Sequence, residues 1–349
     1  MSTITVITDE TALVAGTVQG DRVLIPTTSL EEATGWVRKP EGLCKGDVCV
    51  PVRDPEALEV GDQIDLVGLA AALGRRAVVD PAAGMVAIAR DATDRSGALI
   101  GLRAPDFTLP TLDGAPVRLS DFDGHKRVLV AFSSWCGCRY DLPGWQELND
   151  ELADTGLKVI TVALDNDPED VRRFATEVSI PVLLDRQHLL SELYAVSNVP
   201  TVIWIDEDGA IARPNGLAFG TSTFAEFTGV DSTPHLEAIR RWAREGELPL
   251  APEEARGAVA DLSPEEVDAR LHFRIGAEAS RQGREDVASK HLVAASELAP
   301  FDFSVRRAAM PLLGVNPFGQ EFLDLYDEWQ EMGAPYHGLP VEGASEPAG

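Results

Sequence analysis

Two short, almost wholly apolar runs, Val128–Phe132 and Lys158–Leu164, flank a stretch in which Leu142, Trp145 and Leu148 recur at helical spacing. Runs of this kind, without polar alternation, are strands covered on both faces, and two of them joined through a helix pair in parallel. That βαβ signature commits the middle of the chain to a layered α/β fold. The helix is expected over Leu142–Leu152. Beyond it, Asp165-Asn166-Asp167 ends the second strand, Asp167-Pro168 opens a helix through Phe174, and Val182–Leu184 reads as a short strand. Thr201–Asp206 and Ala210–Ala212 form a hairpin about Glu207-Asp208-Gly209, and Pro234–Ala243 is the expected closing helix.

At 349 residues the chain is longer than one ordinary domain. Residues 1–98 read as a small α+β domain with strands at Ile4–Ile7, Arg22–Ile25, Val48–Val52 and Met85–Ala89. Ser29-Leu30-Glu31-Glu32 reads as a capping box for its first helix. A second helix is expected to begin at Asp62, carry Leu66, Leu69, Ala70 and Leu73, and stop at Gly74. The α/β domain is expected over 99–246. Residues 247–337 are Ala-rich and helical, and the spacing of Gly276, Gly283, Ala288, Leu292, Ala295 and Pro300 resembles one tetratricopeptide repeat. One copy cannot stack into a solenoid, so this region either packs on its neighbour or offers a docking surface to a protein partner. Residues 338–349, rich in Pro, Gly and Glu, read as a flexible tail.

Charge and hydropathy remove several function classes. With 57 Asp plus Glu against 30 Lys plus Arg, the formal charge is −27, which opposes phosphate backbones and anionic lipid. No nucleic-acid partner is expected. No apolar run approaches the ~20 residues of a membrane helix, so no membrane span is expected either. Met1-Ser2-Thr3-Ile4-Thr5-Val6 lacks the basic and apolar regions of a secretory signal and reads as a first strand, which makes the cytoplasm the expected location.

In a reducing compartment a close cysteine pair is more often catalytic or metal-binding than structural. The four cysteines form two such pairs, Cys44 with Cys49 and Cys136 with Cys138. Trp135-Cys136-Gly137-Cys138-Arg139 sits between a buried strand and a helix, where unpaired backbone N–H groups and the helix dipole stabilise a thiolate. Arg139 adds a positive charge. The competing readings are two buried thiols acting as small hydrophobes, or chelation of a soft ion. No His or third Cys lies at ligand spacing, the six histidines being scattered, so no metal is expected. Trp135 and Trp145 either flank the thiols or belong to the core. In Cys44-Lys45-Gly46-Asp47-Val48-Cys49 the Gly46-Asp47 turn lets the cysteines face each other, as a second dithiol that relays electrons or as plain thiols or a structural bridge. Asp165 and Asp167 end a strand where ligands often bind, the simpler role being an N-cap.

Ala104-Pro105-Asp106-Phe107-Thr108-Leu109, Leu119-Ser120-Asp121-Phe122, the strand into Trp135-Cys136, and Asn198-Val199-Pro200-Thr201 before Ile203–Gly209 together resemble the thioredoxin-fold redoxins. These include thiol-disulfide oxidoreductases of cytochrome maturation and peroxiredoxin-like thiol-specific antioxidant proteins. The resemblance implies a cis Pro200 facing the active cysteine, with Val199 offering its backbone to an extended substrate segment. It also implies catalysis at Cys136 and Cys138 with Trp135, Gly137, Val199 and Pro200 about the substrate.

The motif departs from the Cys-x-x-Cys of such sites. Residues two apart on a regular helix point away from each other, and a disulfide needs Cβ atoms ~3.5–4.5 Å apart, so a Cys136–Cys138 bond requires non-helical backbone, which Gly137 can supply. Such a bond is expected to be strained and oxidising. A peroxiredoxin-type site has Pro and Thr or Ser seven and three residues before the cysteine; here those positions hold Leu129 and Ser133, of which only Ser133 fits. The expected protein is therefore α/β, with a thioredoxin-like central domain, a small α+β N-terminal domain and an all-α, tetratricopeptide-like C-terminal region. The expected function is thiol-disulfide exchange with protein or small-molecule thiols and disulfides, needing no bound cofactor but an external thiol reductant. Peroxide reduction and a non-catalytic binding role are the alternatives.

Overall fold

The strand Arg127–Phe132 is buried at every position, as an unbroken apolar run requires, and lies in the middle of a five-stranded sheet. The structure, a computed structural model, describes residues 2–340. The sheet runs Val182–Leu184, Lys158–Ala163, Arg127–Phe132, Thr201–Ile205, Ile211–Gly216. The first three strands are parallel and the last two are added antiparallel. The parallel pair Arg127–Phe132 and Lys158–Ala163 is connected through helix Leu142–Glu151, whereas the final pair needs only the hairpin at Gly209, where φ is +79°.

Trp145 and Leu148 from that helix and Leu152 at its C-terminal cap meet Val128, Val130, Val202 and Trp204 of the sheet, joined by Ile239 and Trp242 of helix Thr233–Glu245. Trp145 is thus a core residue. The close packing is sharpest at Gly144, where an added Cβ would lie 2.4 Å from the carbonyl oxygen of Gly220. Helix propensity alone favours Ala over Gly by about 1 kcal/mol. The clash reverses that sign, so Gly144→Ala is expected to lower stability by about 1–3 kcal/mol in urea unfolding; an unchanged or raised midpoint would show that the contact is slack.

The chain divides into two compact units, and not at the boundaries 98, 246 and 337 read from the sequence. One unit holds the residues up to 92 together with 263–299; the other holds 93–262 together with the described residues from 300 onward. Helical periodicity shows that a face is apolar and leaves open which neighbour covers it, and here the helical region is shared between two.

In the first unit a seven-stranded sheet runs Glu59–Val60, Gln63–Asp65, Arg22–Pro26, Thr11–Gln19, Ser2–Ile7, Met85–Ile88, Ala77–Asp80. Helix Leu66–Ala72 starts four residues later than expected, because Gln63–Asp65 is a strand and Asp65 provides the cap by accepting from the Val67 N–H. Ser29 makes no side-chain cap; it closes a short 3-10 turn, Thr27–Ser29, ahead of Leu30–Thr34. The two helices Pro264–Arg281 and Glu285–Leu298 form the expected antiparallel pair, close enough at Gly276 that a Cβ would fall 2.7 Å from Leu292. They are tied to the sheet at Asp80, which accepts from Lys290 Nζ at 2.7 Å and faces His291 Nε2 at 3.0 Å.

Burial alone would raise the Asp80 carboxyl, but the hydrogen bonds from Lys290 and His291 reverse this and hold it far below the usual carboxylate range. A carboxyl that is more acidic folded than unfolded stabilises above the unfolded value of about 4 and loses that contribution as pH falls below it. Asp80→Asn is expected to cost about 1–3 kcal/mol at pH 7 and less at pH 3, read from urea midpoints. Equal losses at both pH values would sink the ionic account.

Residues 338–340 depart from the flexible-tail expectation, since Leu339 is buried and its N–H donates to the Asn215 carbonyl at 2.7 Å. The remainder of that stretch lies outside the described residues.

Candidate active site at the Cys136–Cys138 turn

The turn that leaves strand Arg127–Phe132 is fixed by Asp165 at the end of the neighbouring parallel strand. Its carboxylate accepts from Ser133 Oγ at 2.8 Å, the Ser134 N–H at 3.0 Å and Ser134 Oγ at 2.5 Å. Burial nevertheless pushes the Asp165 carboxyl up to about 6. Asp165 therefore anchors the cysteine turn, and the N-cap role falls to Asp167, which accepts from the Glu169 N–H. Trp135 is locked behind the turn, its Nε1–H donating to the Leu164 carbonyl at 3.0 Å.

Cys136 is extended (φ −111°, ψ 147°) and caps a 3-10 turn, Gly137–Asp141, which leads into helix Leu142–Glu151. This is the non-helical backbone that a one-residue spacer demands. Cys136 Sγ accepts from the Cys138 N–H at 3.2 Å, and its thiol donates to the Val199 carbonyl at 3.4 Å. The Val199–Pro200 bond is cis. Both cysteines are unbridged and almost wholly buried, at 4% and 2% exposure.

Burial pushes the Cys136 thiol up, but the hydrogen bond from Cys138, the charge of Arg307 and the Cys138 N–H outweigh it and bring the thiol below its ordinary value. Cys138 moves the other way: burial, its hydrogen bond to Cys136 and the Cys136 charge all push it well above. The two thiols are thereby displaced in opposite directions, Cys136 being the more readily ionised of the pair. Ionised Asp141 works against both. Burial pushes Asp141 itself up to about 6, although Thr221 Oγ1 donates to it at 2.5 Å.

Asp141→Asn removes a negative charge that opposes the Cys136 thiolate above pH 6. Its expected effect is a lower midpoint in the pH profile of Cys136 alkylation by iodoacetamide, without any inflection near pH 6. The same substitution should remove a stability decline between about pH 4 and 6, because a carboxyl raised by folding destabilises as it ionises. A profile superimposable on the parent's would exclude Asp141 from the electrostatics of the pair.

Arg139 does not play the part its position in the motif suggested. Its Nη1 donates to the Ser134 carbonyl at 2.7 Å and its guanidinium lies 4.5 Å from the ring centroids of both Phe174 and Phe318. The cation acting on Cys136 is Arg307, in helix Arg306–Leu312, far away in sequence. Ser133 is likewise committed to Asp165. Gly137 faces Phe224, whose ring atoms would stand 3.0 Å from a Cβ there.

Cys136, Gly137, Cys138 and Val199 open onto a cavity of about 900 Å³ whose remaining wall includes Phe224, Phe318, Phe322 and Trp329. Trp135 and Pro200, expected about the substrate, are not on that wall. Phe322 and Trp329 share a face of helix Gln320–Glu331, a seven-residue spacing that marks the helix as amphipathic but does not say what it covers. Cys44 and Cys49 belong to the other unit. They are partners across the hairpin Gly42–Lys45 and Val48–Val50, turned at Gly46 (φ +57°), and are bridged by a disulfide.

The profile of the AhpC/TSA family matches residues 100–213, which carry Cys136, Cys138 and the cis Val199–Pro200 bond. The thiol-disulfide oxidoreductase ResA of Geobacillus kaustophilus (strain HTA426) is 30% identical over 151 residues, 42% of this chain and 82% of that protein. The thioredoxin-like protein YneN of Bacillus subtilis (strain 168) is 35% identical over 132 residues, 36% of this chain and 75% of that protein. The chain belongs to the thioredoxin-fold redoxins. Among solved structures, the exposed lipoprotein thioredoxin Etrx1 of Streptococcus pneumoniae strain TIGR4 is 28% identical, with a TM-score of 0.32 over 40% of this chain and 98% of that one. In this redoxin the family match stops short of Arg307 and of the aromatic residues that close the cavity from the C-terminal side.

Proposed function

We propose that this redoxin is a thiol-disulfide oxidoreductase whose redox centre is Cys136-Gly137-Cys138. The reading rests on the opposite displacement of the two thiols in a single cavity. Cys136, favoured as thiolate, attacks one sulfur of a substrate disulfide; that S–S bond breaks, the departing thiolate takes a proton, and a mixed disulfide forms on Cys136. Cys138 then loses its proton and attacks the Cys136 sulfur, releasing the second substrate thiol and closing a Cys136–Cys138 disulfide. An external dithiol reductant returns two electrons and two protons. No bound organic cofactor enters this sequence. The Val199 carbonyl holds the resting Cys136 thiol, and Gly137 leaves room for the Phe224 ring beside it.

Peroxide reduction is less well served, because the hydroxyl of Ser133 is already donated to Asp165. The test is mass spectrometry of alkylation-trapped peptides after brief exposure of reduced protein to glutathione disulfide or, separately, hydrogen peroxide. A glutathione adduct on Cys136 followed by a Cys136–Cys138 bond is the expected result. A sulfenic acid at Cys136 formed faster than the adduct would favour the peroxidase reading, and an unmodified Cys136 in both arms would end redox catalysis. Closure of a Cys44–Cys49 disulfide as the Cys136–Cys138 bond reopens would support the relay role of the second pair.

A further inference from the structure

The cavity beside Cys136 contains a buried cation that no carboxylate among the described residues pairs with. Arg307 is 7% exposed, and its Nε and Nη2 both donate to the Pro317 carbonyl at 3.2 and 3.1 Å. Its guanidinium lies 3.5 Å from the centroid of the Phe322 ring and 5.3 Å from that of Phe318. A guanidinium held among rings, out of water, is costly unless a negative charge faces it. The Cys136 thiolate can be that charge only until it reacts. Once a mixed disulfide forms, the thiolate charge is gone and Arg307 needs another counter-ion.

The same C-terminal segment occupies the backbone that an extended polypeptide would need near Pro200. The Ser197 carbonyl accepts from the Phe303 N–H at 2.8 Å, and the Val196 carbonyl accepts from Ser304 Oγ at 2.9 Å. The Val199 N–H is turned onto Asn198 Oδ1 at 2.8 Å. What stays open to the sulfur is an aromatic cavity of about 900 Å³, of small-molecule size.

We propose that this cavity binds a small disulfide or thiol with an apolar body and a carboxylate, the body against Phe318, Phe322 and Trp329 and the carboxylate on Arg307. The proposal rests on the thiol-exchange reading and names its substrate class. Exchange then runs as above, with the substrate's carboxylate replacing the lost thiolate charge opposite Arg307.

The test uses full-length Cys136→Ser, in which no thiolate competes, titrated calorimetrically with naphthoate and with naphthylmethanol, its neutral counterpart. Naphthoate is expected to saturate one site and bind about tenfold more tightly than the alcohol. Arg307→Met in the same background should abolish that preference, and Arg307→Lys should keep part of it. Equal affinity for acid and alcohol, a preference that survives Arg307→Met, or no saturable naphthoate binding would overturn the proposal. The acid-to-alcohol comparison is made on one protein, so it stands even if an Arg307 variant does not fold. Exchange of the parent protein with glutathione disulfide is followed separately. Naphthoate binding with inert cysteines would remove the exchange reading and support the anion site; exchange without naphthoate binding would do the reverse.

Discussion

Cys136→Ser is expected to lower the rate of disulfide reduction by more than about a thousandfold, because a serine hydroxyl at neutral pH supplies almost none of the nucleophilic anion that a thiol of depressed pKa does. Cys138→Ser should behave differently. Cys136 keeps its Arg307 neighbour and still attacks, but no second thiol stands beside the mixed disulfide, so a stoichiometric adduct accumulates and turnover stalls at one equivalent. Intact-mass measurement after mixing with glutathione disulfide separates the two variants. If Cys138→Ser turned over at the parent rate, the resolving thiol would have to come from solution and the Cys-Gly-Cys centre would have no special standing.

Removing the charge of Arg307 should produce the second large effect. A positive charge favours the thiolate, so Arg307→Met is expected to move the midpoint of Cys136 alkylation upward by about one pH unit, making the reaction roughly tenfold slower at any pH below both midpoints. Arg307→Lys should recover part of the difference, which a purely structural role for the side chain would not. Arg139→Met, with its guanidinium bonded to Ser134 and stacked on Phe174 and Phe318, should move the midpoint less. A larger shift from Arg139 than from Arg307 would restore the assignment suggested by the motif alone.

The helical region between 263 and 299 shows how far the sequence carries. Its two helices and their small-residue contact at Gly276 follow from spacing, yet their assignment to the sheet of residues 2–92 depends on Asp80, Lys290 and His291 meeting across more than 200 positions. Thr11–Gln19 was not legible as a strand, because polar and small residues interrupt its alternation; pairing on both sides makes it one.

The sequence by itself determined the α/β layer, the placement of Cys136 and Cys138 at a strand-to-helix turn, the family resemblance and the facing of Cys44 and Cys49, because each is written in local periodicity, turn chemistry or a contiguous motif. Only the tertiary structure decided which carboxylate anchors the turn, which arginine charges the thiol and what closes the cavity. Asp165, Arg307, Phe322 and Trp329 act through distances between side chains far apart in the chain, and electrostatic and packing energies depend on those distances, not on sequence order.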